Sequence, residues 1–219
     1  MVHFSDQRPC GPSDVAFGDQ PPLAYPAALR ALSGCAVRVV TLLCRRRMHR
    51  PARWVRTQLR FADGTSAPVY RETVIDYGAA AARCVLVVTF TLRRVRGWGH
   101  AVFRAESLLN TVLFAGFPGL VSKLWLANDS LGRYRGVYEW DGPERADRYA
   151  RALWRVLALV SVPGSIHYVV VPGLARDEFL REPQAAGELA NEKPAWWRVV
   201  ECSLRRRLTS SWSAQARPG

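Results

Sequence analysis

The chain reads as an α+β protein, with a ferredoxin-like βαββαβ unit over residues 81–174 and a β-hairpin extension before it. Three observations predict this class. Short β-branched or aliphatic runs bounded by turn formers recur at 83–92, 120–127, 134–140 and 165–171. Two longer stretches, 98–114 and 143–160, repeat their apolar residues at the helical period instead. Their order along the chain is strand, helix, strand, strand, helix, strand.

Residues 83–92 (RCVLVVTFTL) are too short and too branched for a helix and read as the central strand. In 98–114, Val102, Ala105, Leu109 and Val112, with Leu108 beside them, fall on one helix face. Gly116-Phe117-Pro118-Gly119 stops that helix, because proline bars its continuation. The strands 120–127 and 134–140 flank Asn128-Asp129-Ser130-Leu131-Gly132, a turn sequence that predicts a hairpin. The second helix carries a start signal: Asp141 as cap, Pro143 in the first turn and Glu144 in the capping-box position. Its expected buried face is Ala146, Tyr149, Leu153, Val156, Leu157 and Val160, and Val162-Pro163-Gly164 ends it. Residues 165–171 supply the fourth strand.

Four regions follow: 1–50, a weakly structured basic arm; 51–80, the hairpin; 81–174, the α+β domain; and 175–219, a C-terminal extension and tail. Prolines 9, 12, 21, 22 and 26 leave the first 26 residues without expected structure. Residues 27–44 are apolar, but Arg30 and Arg38 interrupt them, so a short packed or interfacial helix is expected rather than a membrane span or signal peptide. Arg45-Arg46-Arg47, with His49 and Arg50, makes a positive cluster, either a solvated turn or a contact for phosphate or anionic headgroups. Met48 within it is an alternative start. In the hairpin, Val55, Thr57, Leu59 and Phe61 alternate with polar residues, Asp63-Gly64 turns the chain, and Val69, Arg71, Thr73 and Ile75 return. It is expected to extend the sheet or cover an edge. Near the C-terminus, Trp196 and Trp197 beside arginines could stack on bases, sit at a membrane interface or dock on the domain.

The net charge is +13 over 219 residues, but its excess lies in the flanks: +5 in 1–80, +3 in 81–192 and +5 in 193–219. Lys123 and Lys193 are the only lysines, and an arginine-rich, alanine-rich chain is also what a GC-rich genome produces. Nucleic acid and integral membrane insertion are therefore not the expected partners, while peripheral contact through the basic flanks stays open. Five cysteines at scattered spacings point to reduced thiols and a cytoplasmic protein. Four histidines stand too far apart to suggest a metal site, and no cofactor is expected.

The run Gly116-Phe117-Pro118-Gly119-Leu120-Val121-Ser122-Lys123-Leu124-Trp125, the strand Arg135-Gly136-Val137-Tyr138 and the helix start at Ala146 to Tyr149 resemble a mono-oxygenase family of dimeric α+β barrels, related to the antibiotic-biosynthesis monooxygenases. The likeness covers only the central unit. It implies a homodimer in which two sheets pair into a barrel, with a cavity between each sheet and its own helices. It also implies the chemistry of related enzymes, in which a phenol-like or quinol-like anion reacts with dioxygen without flavin, metal or haem.

Such chemistry needs a base or anion stabiliser in an apolar pocket. His167, in an apolar strand, is the base candidate, and Tyr138 offers a phenol to hold a substrate oxygen. Trp98, His100, Phe103 and Asn110 are the further pocket candidates. Lys123 and Trp125 share one face of their strand, opposite Leu120, Ser122, Leu124 and Leu126. With the leucines expected on the helices, Lys123 and Trp125 are expected at the dimer face. The functional expectation is a dimer that binds a small apolar or aromatic ligand, in its most specific form a cofactor-independent monooxygenase. A non-enzymatic ligand-binding or structural dimer is one alternative. Another is a nucleic-acid or anionic-membrane surface in which Arg45 to Arg53, Arg205 to Arg207, Trp196 and Trp197 converge.

Overall fold

The computed structural model describes residues 16–76, 78, 80–93, 115–182, 184, 186 and 196–204. Its elements in order are β1 (Phe17–Gly18), α1 (Tyr25–Cys44), β2 (Met48–His49), β3 (Thr57–Phe61), β4 (Ser66–Ile75), β5 (Arg83–Thr91) and β6 (Leu120–Leu126). They continue with β7 (Arg133–Asp141), α2 (Pro143–Val160), β8 (His167–Pro172), α3 (Arg176–Arg181) and β9 (Val199–Leu204). All nine strands among the described residues belong to one sheet, ordered β1-β8-β5-β7-β6-β4-β3-β9, with β2 on β4. Every pairing in it is antiparallel.

This overturns the expected fold class. The fold is not a ferredoxin-like βαββαβ unit forming a dimeric α+β barrel, but mostly a curled antiparallel sheet with three helices among the described residues. The four predicted strands exist as β5, β6, β7 and β8, yet they are only the middle of a sheet that runs on through the hairpin and the C-terminal segment. The physical reason lies in what covers the second face. Cys84, Leu86 and Val88 of β5 point to one side and Val85 and Val87 to the other, and all five are buried. A strand buried on both faces reads as a continuous apolar run, as β5 does. A partner's sheet was expected on the second face; instead Leu59 and Phe61 of β3, Phe179 and Leu180 of α3, and Trp197 and Val199 at β9 cover it. The sheet curls so far that the Trp196 ring, just before β9, lies 6.2 Å from the His167 ring on β8.

The convex face carries the helices. Ala146, Tyr149, Ala150, Leu153 and Leu157 of α2 pack on Leu86, Tyr138, Trp140 and Tyr168, with Cys35 and Val39 of α1 beside them. The start of α2 differs from expectation: its cap is Gly142, and Asp141 ends β7. The Asp141 carboxylate is drawn away to accept from the Ala81 and Ala82 amides at 2.9 and 3.0 Å, so it holds the entry to β5. The helix expected over 98–114 lies outside the described residues.

Two polar clusters tie the curl together. On the concave side, Asp129 from the β6–β7 turn and Arg133 at the start of β7 meet Asp63 and Thr65 from the β3–β4 turn through Arg135, whose guanidinium also lies 4.2 Å over the Phe61 ring. Arg176 of α3 pairs with Glu72 of β4 at 2.8 Å, and Glu72 also accepts from the Trp54 amide.

Candidate functional site

A break in strand pairing decides where β6 points its side chains. Leu120 pairs with Trp140 but Ser122 pairs with Glu139, so one extra residue is taken up and the alternation is reset. Leu120 stays on the helix side, whereas Leu124 and Leu126 turn to the concave core. Lys123 and Trp125 are thereby sent to the helix side, opposite Tyr138 and Gly136 of β7. That corrects the expectation that they look outward to a partner. Lys123 is 6% exposed within this one chain.

The Lys123 ammonium sits 3.1 Å from the centroid of the Trp125 ring and 4.6 Å from that of Tyr138. Such contacts favour the charged form. No carboxylate lies within ion-pair distance of it among the described residues. Burial, and then the positive charge of Arg71, hold its pKa well below the ordinary lysine value. Arg71 stacks on Trp125 and on Tyr70, with its guanidinium 5.4 and 5.3 Å from the two rings. The Trp125 indole N–H donates to Thr73 Oγ1 at 3.3 Å, which orients the ring.

Gly136 makes the niche possible. A Cβ there would stand 2.7 Å from Cε2 of Tyr138, so the tyrosine ring lies where any larger residue would project. Tyr138 is backed by Tyr149, whose hydroxyl is 3.5 Å from its own, and Tyr149 packs between Phe117 and Trp140. Burial pushes both phenols above the ordinary tyrosine range, so they stay neutral donors. Phe90 and Tyr134 stack at 5.7 Å beside them. The space is about 40 Å³, bounded by Tyr70, Phe90, Lys123, Trp125, Tyr134 and Tyr138, with Leu153 and Leu157 of α2 beside it. A niche of that size takes a few water-sized groups, enough for one functional group of a ligand rather than a whole ring.

The expected catalytic pair is not assembled. Tyr138 belongs to the helix-side core, while His167 lies on the concave side near Trp196, its side chain 44% exposed and its Nδ1 2.9 Å from Asp19 Oδ2. Trp98, His100, Phe103 and Asn110 lie outside the described residues. Sequence reasoning missed Tyr70 and Phe90 as walls of the niche, whereas Tyr134 was legible from sharing a strand face with Gly136 and Tyr138. A Lys-x-Trp strand pairing with a Gly-x-Tyr strand was the available signal, but its register depended on the bulge.

A larger groove, about 500 Å³, opens on the surface between Arg53, Trp54, Arg181, Glu201 and Cys202. Its charges are already matched, Arg53 with Asp177 at 2.7 Å and Glu201 with Arg60 at 2.8 Å, so it offers less to a ligand than the Lys123 niche. Among the described residues, no three His, Cys, Asp or Glu side chains are grouped to hold a metal ion. What fold and site define together is a curled antiparallel sheet with a buried amine in an aromatic niche under its helices. Comparison with family models, curated proteins and solved structures finds no match to the chain.

Proposed function

We propose that the protein binds a small aromatic molecule bearing an acidic or carbonyl oxygen, with that oxygen entering the niche at Lys123. One observation carries the reading: Lys123 is buried against two aromatic faces with no carboxylate beside it among the described residues. An unpaired buried amine is costly, and such local conflicts belong at functional sites. An entering carboxylate supplies the missing counter-ion and draws a proton onto Nζ; a carbonyl accepts a hydrogen bond from it. The flat part of the ligand then stacks toward Phe90 and Tyr134 at the edge of the niche.

Oxygenation is not part of this proposal. The base and phenol expected for it stand on opposite faces of the sheet. The test is native mass spectrometry of the purified chain for a retained aromatic molecule and for subunit number, followed by titration with 4-hydroxybenzoate and benzaldehyde. Saturable binding that falls at least tenfold in Lys123→Met supports the site. Equal binding by the wild type and Lys123→Met, or no retained molecule and no binding of either probe, overturns it.

A further inference from the structure

The helix α1 has one side committed to the domain. Ala28, Cys35 and Val39 are buried, and Gly116 approaches so closely that a Cβ there would be 2.1 Å from the Cys35 carbonyl oxygen. The adjoining flank is different. Tyr25, Leu29, Val40 and Leu43 recur at helical spacing and stand 46–64% exposed, with Val37 next to them at 72%. At the start of α1 the patch continues onto α2: the Arg155 guanidinium lies 4.3 Å over the Tyr25 ring, and one turn further Leu159 is among the most exposed apolar residues.

The other end of α1 is a fixed cationic corner. Arg45, Arg46 and Arg47 are all exposed, and Arg46 adopts φ 52°, which turns the chain back. The Arg47 carbonyl then accepts from the Asp76 amide at 2.9 Å, and Met48 and His49 pair with Ile75 and Val74. These arginines are thus held against the sheet edge rather than carried on a loose end. From Gln20 to Ala62 the sequence contains nine arginines and no acidic residue. Among the described residues, none of Arg38, Arg45, Arg46, Arg47 and Arg50 pairs with a carboxylate, and the nearest acid in sequence contact, Asp76, is taken by His49 at 2.7 Å.

We propose that the exposed flank of α1 and the Arg45–Arg47 corner dock this protein on the surface of an anionic phospholipid bilayer. The helix is long and apolar enough to cross a membrane. Its three buried positions seat it against α2 and the chain at Gly116, and the exposed Arg30 and Arg38 along it oppose insertion across the bilayer, so it lies in the plane of the interface. Aliphatic side chains beside unpaired arginines suit acyl chains beneath phosphate headgroups; a polynucleotide would leave the aliphatic flank in water.

The experiment is co-sedimentation of the full chain with vesicles of phosphatidylcholine alone or with about a third phosphatidylglycerol. The wild type is expected to bind the anionic vesicles at least tenfold better, with binding weakened by salt. Leu29→Ser/Val40→Ser and Arg45→Gln/Arg46→Asn/Arg47→Gln should each lose at least tenfold while keeping the wild-type melting curve, since all five positions are exposed. Absence of vesicle binding, or binding unchanged in both variants, overturns the proposal. So does a dimer in sedimentation velocity that the Leu29/Val40 variant alone dissolves with no vesicle binding, or nucleic-acid binding that the arginine variant alone removes.

Discussion

Arg135 Nη1 donates to Asp129 Oδ2 across 2.8 Å, and neither side chain has any exposed surface. The pair is the centre of the contact between the β3–β4 and β6–β7 turns, because Arg135 also reaches Asp63 at 3.0 Å and Thr65 at 3.0 Å. Asp129→Asn leaves the buried Arg135 guanidinium with Asp63 as its one remaining carboxylate partner, and should cost about 3 kcal/mol in urea unfolding. The double change Asp129→Asn/Arg135→Met should recover part of that loss, because it removes the stranded charge as well.

Acid should weaken the same contact. Burial alone would raise the carboxyls of Asp63 and Asp129, but hydrogen bonds from Thr65, from the Arg133 amide and from Arg135, with both guanidiniums, hold them below the ordinary value of 3.8. A carboxyl depressed in the folded state contributes stability that is complete above that ordinary value and is lost as pH falls below it. Urea midpoints measured from neutral pH downward should therefore drop below about pH 4, and less so in Asp129→Asn.

Lys123 gives the opposite sign. Its folded value is lowered from 10.5, so the unfolded chain binds a proton that the folded one gives up. Stability is penalised in full below the folded value and rises with pH as far as the unfolded value. Lys123→Met should raise stability near neutral pH by on the order of 1 kcal/mol and flatten that rise, even as it abolishes ligand binding.

Binding of an aromatic acid at Lys123 should take up a proton. Calorimetric titration with 4-hydroxybenzoate at about pH 8.5, in two buffers of different ionisation enthalpy, should give heats that differ by the buffer term. Identical heats in the two buffers would mean that the amine does not change its protonation on binding.

Gly136→Ala should distort the niche with little effect elsewhere. Its Cβ would overlap the Tyr138 ring, which cannot retreat because Tyr149 stands behind it. A cost of about 1–3 kcal/mol and loss of probe binding are expected, read by thermal melting and the same titration.

Thiol reactivity should follow burial. Burial pushes Cys35 to about 11 and Cys84 to about 12, while Cys44 is exposed at the end of α1. In a Cys10→Ser background, a disulfide reagent should modify Cys44 first and Cys35 and Cys84 only on unfolding.

Much of the local structure was legible because it depends on neighbours in the chain. The alternation around Asp63-Gly64 predicted the β3–β4 hairpin, and the unbroken apolar run of β5 marked a central strand. The α2 stripe was right at Ala146, Tyr149, Leu153 and Leu157, and its outer end, Val160, proved half exposed. The site was less legible. His167 and Tyr138 looked like partners only because alternation along separate strands says nothing about which face of a common sheet each strand shows.

Residue pattern by itself determined β3 to β8, α2, the turns between them and the basic, acid-free stretch that follows Asp19; β1 and β2 lie in the arm expected to be weakly structured. Tertiary structure alone decided that the hairpin and the C-terminal segment would cover the second face of β5, β7 and β8, in place of a partner's sheet. It also decided, through one irregular pairing between Leu120 and Ser122, that Lys123 would be buried among aromatics instead of facing outward. The reason is the same in both cases. A side chain's period along its strand is set locally, but a single extra residue reverses every face beyond it, and what covers a face depends on segments distant in the chain.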